Sequence, residues 1–161
     1  DKEADFVANK ENIEKSGFQL LLNENKPIIN NNDTIHVLGV ENWGKNFKQA
    51  GDLKATTGNV PEKAFKIVLT HDPSHWDAEI VGHKQKYQLT LSGHTHGMQF
   101  GIRIPKIVEW SPASWIYPEW GGLYQKEKQY IYVNRGFGFH AYSGRIGIMP
   151  EITLLELKKS K

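Results

Sequence analysis

The chain has 161 residues, 39% hydrophobic and 24% charged, enough to bury the core of one domain or a large part of one. Its 20 basic and 18 acidic side chains leave a net charge of +2, too balanced to draw the chain onto nucleic acid or membrane by bulk electrostatics. Cysteine is absent, which excludes a disulfide framework and thiolate metal sites, so any metal must rest on imidazole, carboxylate or amide groups. No apolar run approaches the roughly 20 residues that span a bilayer, and the opening DKEADF does not resemble a secretory leader.

In chain order, residues 5–16 place Phe6, Val7 and Ile13 on one face of a predicted helix, and Gly17 stands where a left-handed C-terminal cap belongs. Residues 18–22 form a short apolar run. Residues 27–30 and 34–40 read as extended, joined by a turn at Asn30-Asn31-Asn32-Asp33. Residues 41–60 read as a polar surface excursion with one short helix near Phe47 to Leu53. Two hydrophobic runs then end in histidine. Residues 65–69 stop at Thr70-His71-Asp72-Pro73, and residues 87–91 stop at Ser92-Gly93-His94-Thr95-His96-Gly97. After the first, Asp72 suits a helix N-cap, with Pro73 at the first helical position and Trp76, Ile80 and Val81 on the buried face. Residues 101–125, rich in Pro, Trp and Gly, read as a long ordered loop of the kind that shapes a binding mouth. Residues 130–133 predict a strand ending in Asn134-Arg135-Gly136, and residues 152–157 a final one.

Histidines at the carboxyl ends of neighbouring strands occupy the edge where open α/β sheets collect their ligands. In an extended segment residues two apart project together, so His94 and His96 are expected to aim at one spot, with Gly93 and Gly97 clearing the backbone around them. His71, from the other strand end, is expected to join them. Neutral imidazole is the natural anchor for zinc, manganese or iron in a chain without cysteine. Since ligating imidazoles must be deprotonated, metal affinity should fall as pH drops through the histidine range near 6.5. His36, His75, His83 and His140 are expected to be surface or packing residues.

Leu69-Thr70-His71-Asp72-Pro73, Leu91-Ser92-Gly93-His94-Thr95-His96-Gly97, Tyr132-Val133-Asn134-Arg135-Gly136 and Pro150-Glu151-Ile152-Thr153-Leu154 together resemble the later part of a calcineurin-like metallophosphoesterase, from about Gly17 to Leu157. The resemblance implies an α+β fold, part of a four-layer α/β/β/α sandwich with a mixed sheet and flanking helices. It also implies two divalent ions (manganese, iron or zinc) at the sheet edge, His71 and His94 binding one and His96 the other. The reaction implied is metal-dependent hydrolysis of a phosphoric ester, mono- or diester, of a small molecule or lipid. Met98 departs mildly from the glycine usual after Gly97. The family's Asp-x-His, Gly-Asp-x-x-Asp and Gly-Asn-His-Asp or Gly-Asn-His-Glu motifs do not occur in the 161 residues. Residues 1–161 are therefore expected to be the carboxyl-terminal part of one metallophosphoesterase domain, holding the histidine half of the site, lacking the general acid and inactive alone. The expected partners are the missing amino-terminal half and the phosphorylated substrate, with a homodimer of the chain as a further expectation and no nucleic acid. The domain itself is expected to be soluble, and a membrane attachment in the parent would lie ahead of Asp1. Arg135 is a candidate phosphate contact, because a guanidinium fork matches phosphate oxygens. Two alternatives stand beside this reading. One is a single metal held by His71, His94 and His96, with water as the fourth ligand. The other is a binding module in which Trp110, Trp115, Tyr117 and Trp120 line an aromatic groove.

Overall fold

The structure, a computed structural model, describes residues 2–44, 49–104, 106–140 and 142–158. Helix α1 (Lys2–Lys15) ends as expected at Gly17, whose φ of +84° is the left-handed conformation that glycine adopts without Cβ strain. Val7 and Ile13 stay exposed, so this helix is not docked through the face the sequence suggested. Phe6 lies outside the residues whose side chains are described.

Strands β1 (Glu24–Asn30) and β2 (Asp33–Gly39) form an antiparallel hairpin closed by Asn31-Asn32, with Asn31 at φ +53°. Helix α2 (Leu53–Thr57) is capped by Asp52, whose carboxylate accepts the Ala55 N–H at 2.8 Å. It begins where the expected helix was to end, and Phe47 lies outside the described residues. Strands β3 (Phe65–Leu69) and β4 (Leu89–Ser92) follow. Then come the short hairpin of β5 (Ile102–Ile104) and β6 (Val108–Trp110), and finally β7 (Gly122–Lys126) and β8 (Gln129–Val133). The main sheet has the order β1-β2-β3-β4-β8-β7, parallel from β2 through β8 and antiparallel at both edges. This is an α+β fold with a mixed sheet. The described residues hold one six-stranded sheet, and the second sheet of a four-layer sandwich is not among them.

The pleat sends Leu38, Val68, Thr90 and Ile131, aligned across four strands, to one face, where all four are fully buried. Leu53, Trp76, Ile80 and Tyr87 close that face into the main core. Lys66 points to the same side, and its ammonium is satisfied inside by the carbonyls of Glu62, Ala64 and Gln85. The other face carries Phe65, Tyr130 and Leu123, each more than a third exposed.

Two loops differ from expectation. Residues 101–125 contain the β5–β6 hairpin, a tight helical turn at Pro112–Trp115 capped by Ser111, and the start of β7. Residues 152–157 form no strand. They run past β8 through side chains, Asn134 donating to Thr153 and Tyr132 donating to Glu151, and leave Ile152 and Leu154 exposed. An alternating pattern makes a strand only when a neighbour's backbone lies alongside to pair with it.

Candidate metal centre

The parallel β3–β4 pair carries its ladder past the strand ends. Thr70 N–H donates to the Leu91 carbonyl, while the Gly93 N–H and the Ser92 hydroxyl both donate to the His71 carbonyl. His71 and His94 are thereby delivered to one edge. Their rings meet edge to face at 4.8 Å, and His94 Nδ1 lies 3.0 Å from His71 Nε2.

That separation is itself informative. Two imidazole nitrogens at about 2.1 Å from one ion, with roughly a right angle between them, stand about 3 Å apart. The pair therefore fits adjacent ligand positions of a single divalent cation. Burial first, and then the neighbouring charges of His94 and His96, hold His71 below its ordinary value of 6.5, which favours the neutral form a metal needs.

His96 has a different setting. The backbone after Gly93 leaves the extended region: His94 (φ +71°), His96 (+49°), Gly97 (+56°), Met98 (+46°) and Gln99 (+55°) are all left-handed around a right-handed Thr95. The two-residue rule for strands does not apply in such a loop, so the ring directions of the two histidines follow from the loop and not from a pleat. His96 stacks toward His140, ring centres 6.2 Å apart, and its buried Nδ1 has no hydrogen-bond partner. Burial, then the Arg145 charge with His140 and His94, depresses its pKa. Among the described residues no three His, Cys, Asp or Glu side chains gather into a ready metal shell. The chain thus brings two imidazole nitrogens within 3.0 Å of each other, and His96 Nδ1 is a further buried nitrogen without a hydrogen-bond partner.

Left-handed non-glycine residues cost on the order of 1–3 kcal/mol each, and their clustering marks a conformation imposed by its surroundings. Thr95 Oγ1 donates to the Trp120 carbonyl (2.6 Å), Ser111 Oγ to the Gly97 carbonyl (2.6 Å), and the Gln99 amide to the Tyr142 and Gly144 carbonyls. Gly97 is required twice over, by its positive φ and because an added Cβ would press on Ile148 at 3.1 Å and Trp120 at 3.3 Å. Gly93 is not, since a Cβ there would meet only the Asn134 carbonyl at 3.7 Å.

Arg135 runs against the sequence expectation. Its side chain is 4% exposed, with Nε donating to Glu151 (2.6 Å) and Nη1 to Glu109, and the guanidinium lies over Trp120. Burial alone would lower the pKa of Arg135, but its two carboxylate partners raise it further. A cation committed in this way ties the loop after β8 to the β5–β6 hairpin. The guanidinium beside the histidines is instead that of Arg145, which donates to the carbonyls of His96, Arg135 and Gly138. No spacing in the sequence marked it. Of the expected packing histidines, His75 is fully buried, bonded to Thr70 and Glu79 and stacked on Trp43.

Of the four aromatics expected in one groove, Trp120 is buried with Ala113 and Ile148 and Tyr117 packs against that cluster, Trp110 meets Trp115 edge to face at 5.7 Å, and the Tyr117 hydroxyl lies 2.9 Å from His94 Nε2. Beside His71 a cleft of about 440 Å³ opens between Leu20, Leu21, Leu69 and Leu91.

Comparison with known proteins places this geometry in a setting. The chain is 35% identical over 109 residues to a metallophosphoesterase, YkuE, of Bacillus subtilis, covering 68% of this chain and 36% of that protein. It is 30% identical over 155 residues to the phosphodiesterase YaeI of Escherichia coli, covering 91% and 50%. It is 30% identical over 139 residues to the UDP-2,3-diacylglucosamine pyrophosphatase LpxG of Chlamydia trachomatis, covering 78% and 37%. The chain therefore spans between about a third and a half of the length of these curated relatives. No family model and no solved structure matches it. No helix among the described residues is long and apolar enough to cross a membrane.

Proposed function

Because the chain belongs to the calcineurin-like metallophosphoesterase superfamily, we propose that it supplies the histidine half of a two-metal site whose parent protein hydrolyses a phosphoric ester of a small molecule or lipid. The observation that carries this reading is the 3.0 Å approach of His71 Nε2 to His94 Nδ1 at two neighbouring strand ends. These two side chains would hold one divalent ion, manganese, iron or zinc. His96, whose Nδ1 is buried and unpartnered, would serve the other. Such ions, when bound, supply Lewis-acid stabilisation of the charge that builds on the phosphoryl oxygens.

This chain's residues contribute position and protonation state. The β3–β4 ladder fixes the two strand ends, the left-handed loop carries His96 with its ring stacked toward His140, and desolvation lowers the pKa of His71 and His96. We assign Arg135 to the scaffold rather than to phosphate, on the strength of its two carboxylate partners.

Three imidazoles bring no negative charge to offset two adjacent dications, so the carboxylates and the general acid belong to the remainder of the domain. In this reading residues 1–161 are the carboxyl-terminal part of that domain and have no phosphoesterase activity alone. The names of the relatives, a phosphodiesterase and a pyrophosphatase of a diacylated sugar nucleotide, favour a diester or pyrophosphate bond. The test is to express the chain together with its upstream coding sequence and assay manganese-dependent hydrolysis of bis(p-nitrophenyl) phosphate. The expected result is turnover that His94→Ala abolishes while the fold is retained. Absence of turnover in the longer protein, or turnover indifferent to His94→Ala, would overturn the reading.

A further inference from the structure

A neutral imidazole carries one N–H, and on His94 both ring nitrogens are engaged: Nδ1 faces His71 at 3.0 Å and Nε2 faces the Tyr117 hydroxyl at 2.9 Å. Resting on the metal-site reading above, we propose that Tyr117 is a positioning residue for His94, its hydroxyl oxygen accepting the Nε2–H and so leaving the Nδ1 lone pair aimed at the position shared with His71. A ligating histidine depends on the partner of its other nitrogen to fix tautomer and ring orientation, and losing that partner weakens metal binding even though no ligand is lost.

The local structure is built for the task. The Tyr117 ring meets His94 edge-on, centroids 5.4 Å apart at an interplanar angle of 85°, so ring packing and the hydroxyl contact act together. Tyr117 is held from behind by its N–H to the Ala113 carbonyl at 2.8 Å, in the turn that Ser111 caps. Thr95, next to His94, donates to the Trp120 carbonyl, so the loop bearing Tyr117 and the loop bearing His94 are clamped to each other at two points. The opposite proton arrangement, with the Tyr117 O–H donating to Nε2 and Nδ1–H pointing at His71, would block the same position.

Tyr117→Phe keeps the ring and removes only the oxygen. The probe is Zn²⁺ alone, titrated calorimetrically into the full 161-residue chain, with the His94 tautomer read by ¹⁵N NMR of the metal-free chain at fixed pH. The expected results are His94 as the Nε2–H tautomer in the wild type, a mixture of tautomers in the variant, and zinc binding roughly 10- to 100-fold weaker. Equal zinc affinity with unchanged tautomers would overturn the role of Tyr117 and leave the His71–His94 reading standing. A wild type that binds zinc yet holds His94 as the Nδ1–H tautomer when metal-free would also overturn it, by a measurement that needs no variant to fold. A wild type that binds no zinc would overturn both.

Discussion

His94 is where the smallest scale decides most, because one proton placed on one of two nitrogens sets whether an ion can join His71 to it. Removing either ring should remove the site, so His71→Ala and His94→Ala should each lower zinc affinity by well over tenfold with little change in unfolding temperature, neither ring belonging to the main core. His96→Ala should weaken binding of the first ion far less, since its ring turns toward His140. The shifts of His71 and His96 below the ordinary value of 6.5 widen the pH range over which those two rings stay neutral, and zinc affinity followed by calorimetry should fall as pH drops and the ligating rings protonate. Zinc affinity independent of pH would contradict ligation by imidazole. Gly97→Ala should destabilise the chain by about 1 kcal/mol or more in a denaturant melt, because it sets a Cβ against Ile148 in a left-handed backbone. The sequence made these residues visible through side-chain chemistry and position after apolar runs. It concealed where they point, since the projection of His94 and His96 depends on five left-handed residues held by tertiary hydrogen bonds, those of Thr95, Ser111 and Gln99 among them.

Elements were legible where one physical pattern dominated. The run at residues 65–69 is strand β3 as read, the Asn-rich turn closes its hairpin, and Gly17 ends α1, because burial periodicity and turn chemistry act locally. Asp72 caps as expected, accepting from the Ser74 N–H and hydroxyl, but the segment beyond it closes with a wide i→i+5 bond from Val81 to Trp76. Residues 152–157 misled because their alternation has no neighbouring backbone to pair with. What holds that tail is Glu151. Burial would raise its carboxyl, yet the hydrogen bonds of Tyr132, Arg135 and Thr153 and the Arg135 charge outweigh this and bring its pKa from 4.5 to about 2. A carboxylate depressed in the folded state stabilises fully above its unfolded value and loses that contribution as pH falls from about 4.5 toward 2. Glu151→Gln should therefore cost roughly 3 kcal/mol near neutrality in a urea melt and flatten the acid limb of the stability curve. A variant as stable as wild type near neutrality would show that the Arg135–Glu151 pair does not hold the tail.

At the scale of the whole molecule, the two faces of the sheet differ in cover. Leu38, Val68 and Ile131 are sealed beneath Trp76, Ile80 and Tyr87, while the reverse face buries Ile67 and Leu89 but shows Ile28, Phe65, Tyr130 and Leu123 to solvent. A patch of aromatic and aliphatic side chains on a broad sheet favours association. Sedimentation velocity on the isolated chain should show concentration-dependent dimers or larger species, suppressed by Leu123→Lys, whereas a clean monomer at all concentrations would count against an uncovered face. The candidate site has a matching character, because among the described residues no three His, Cys, Asp or Glu side chains form a ready metal shell around the His71–His94 pair. The central claim is that two imidazoles from adjacent strand ends share one cation, and calorimetric titration of Zn²⁺ into the wild-type chain and the His71→Ala/His94→Ala double variant tests it most directly. The account predicts one saturable site in the wild type that is absent from the double variant. Equal zinc uptake by both proteins, or none by the wild type, would contradict it.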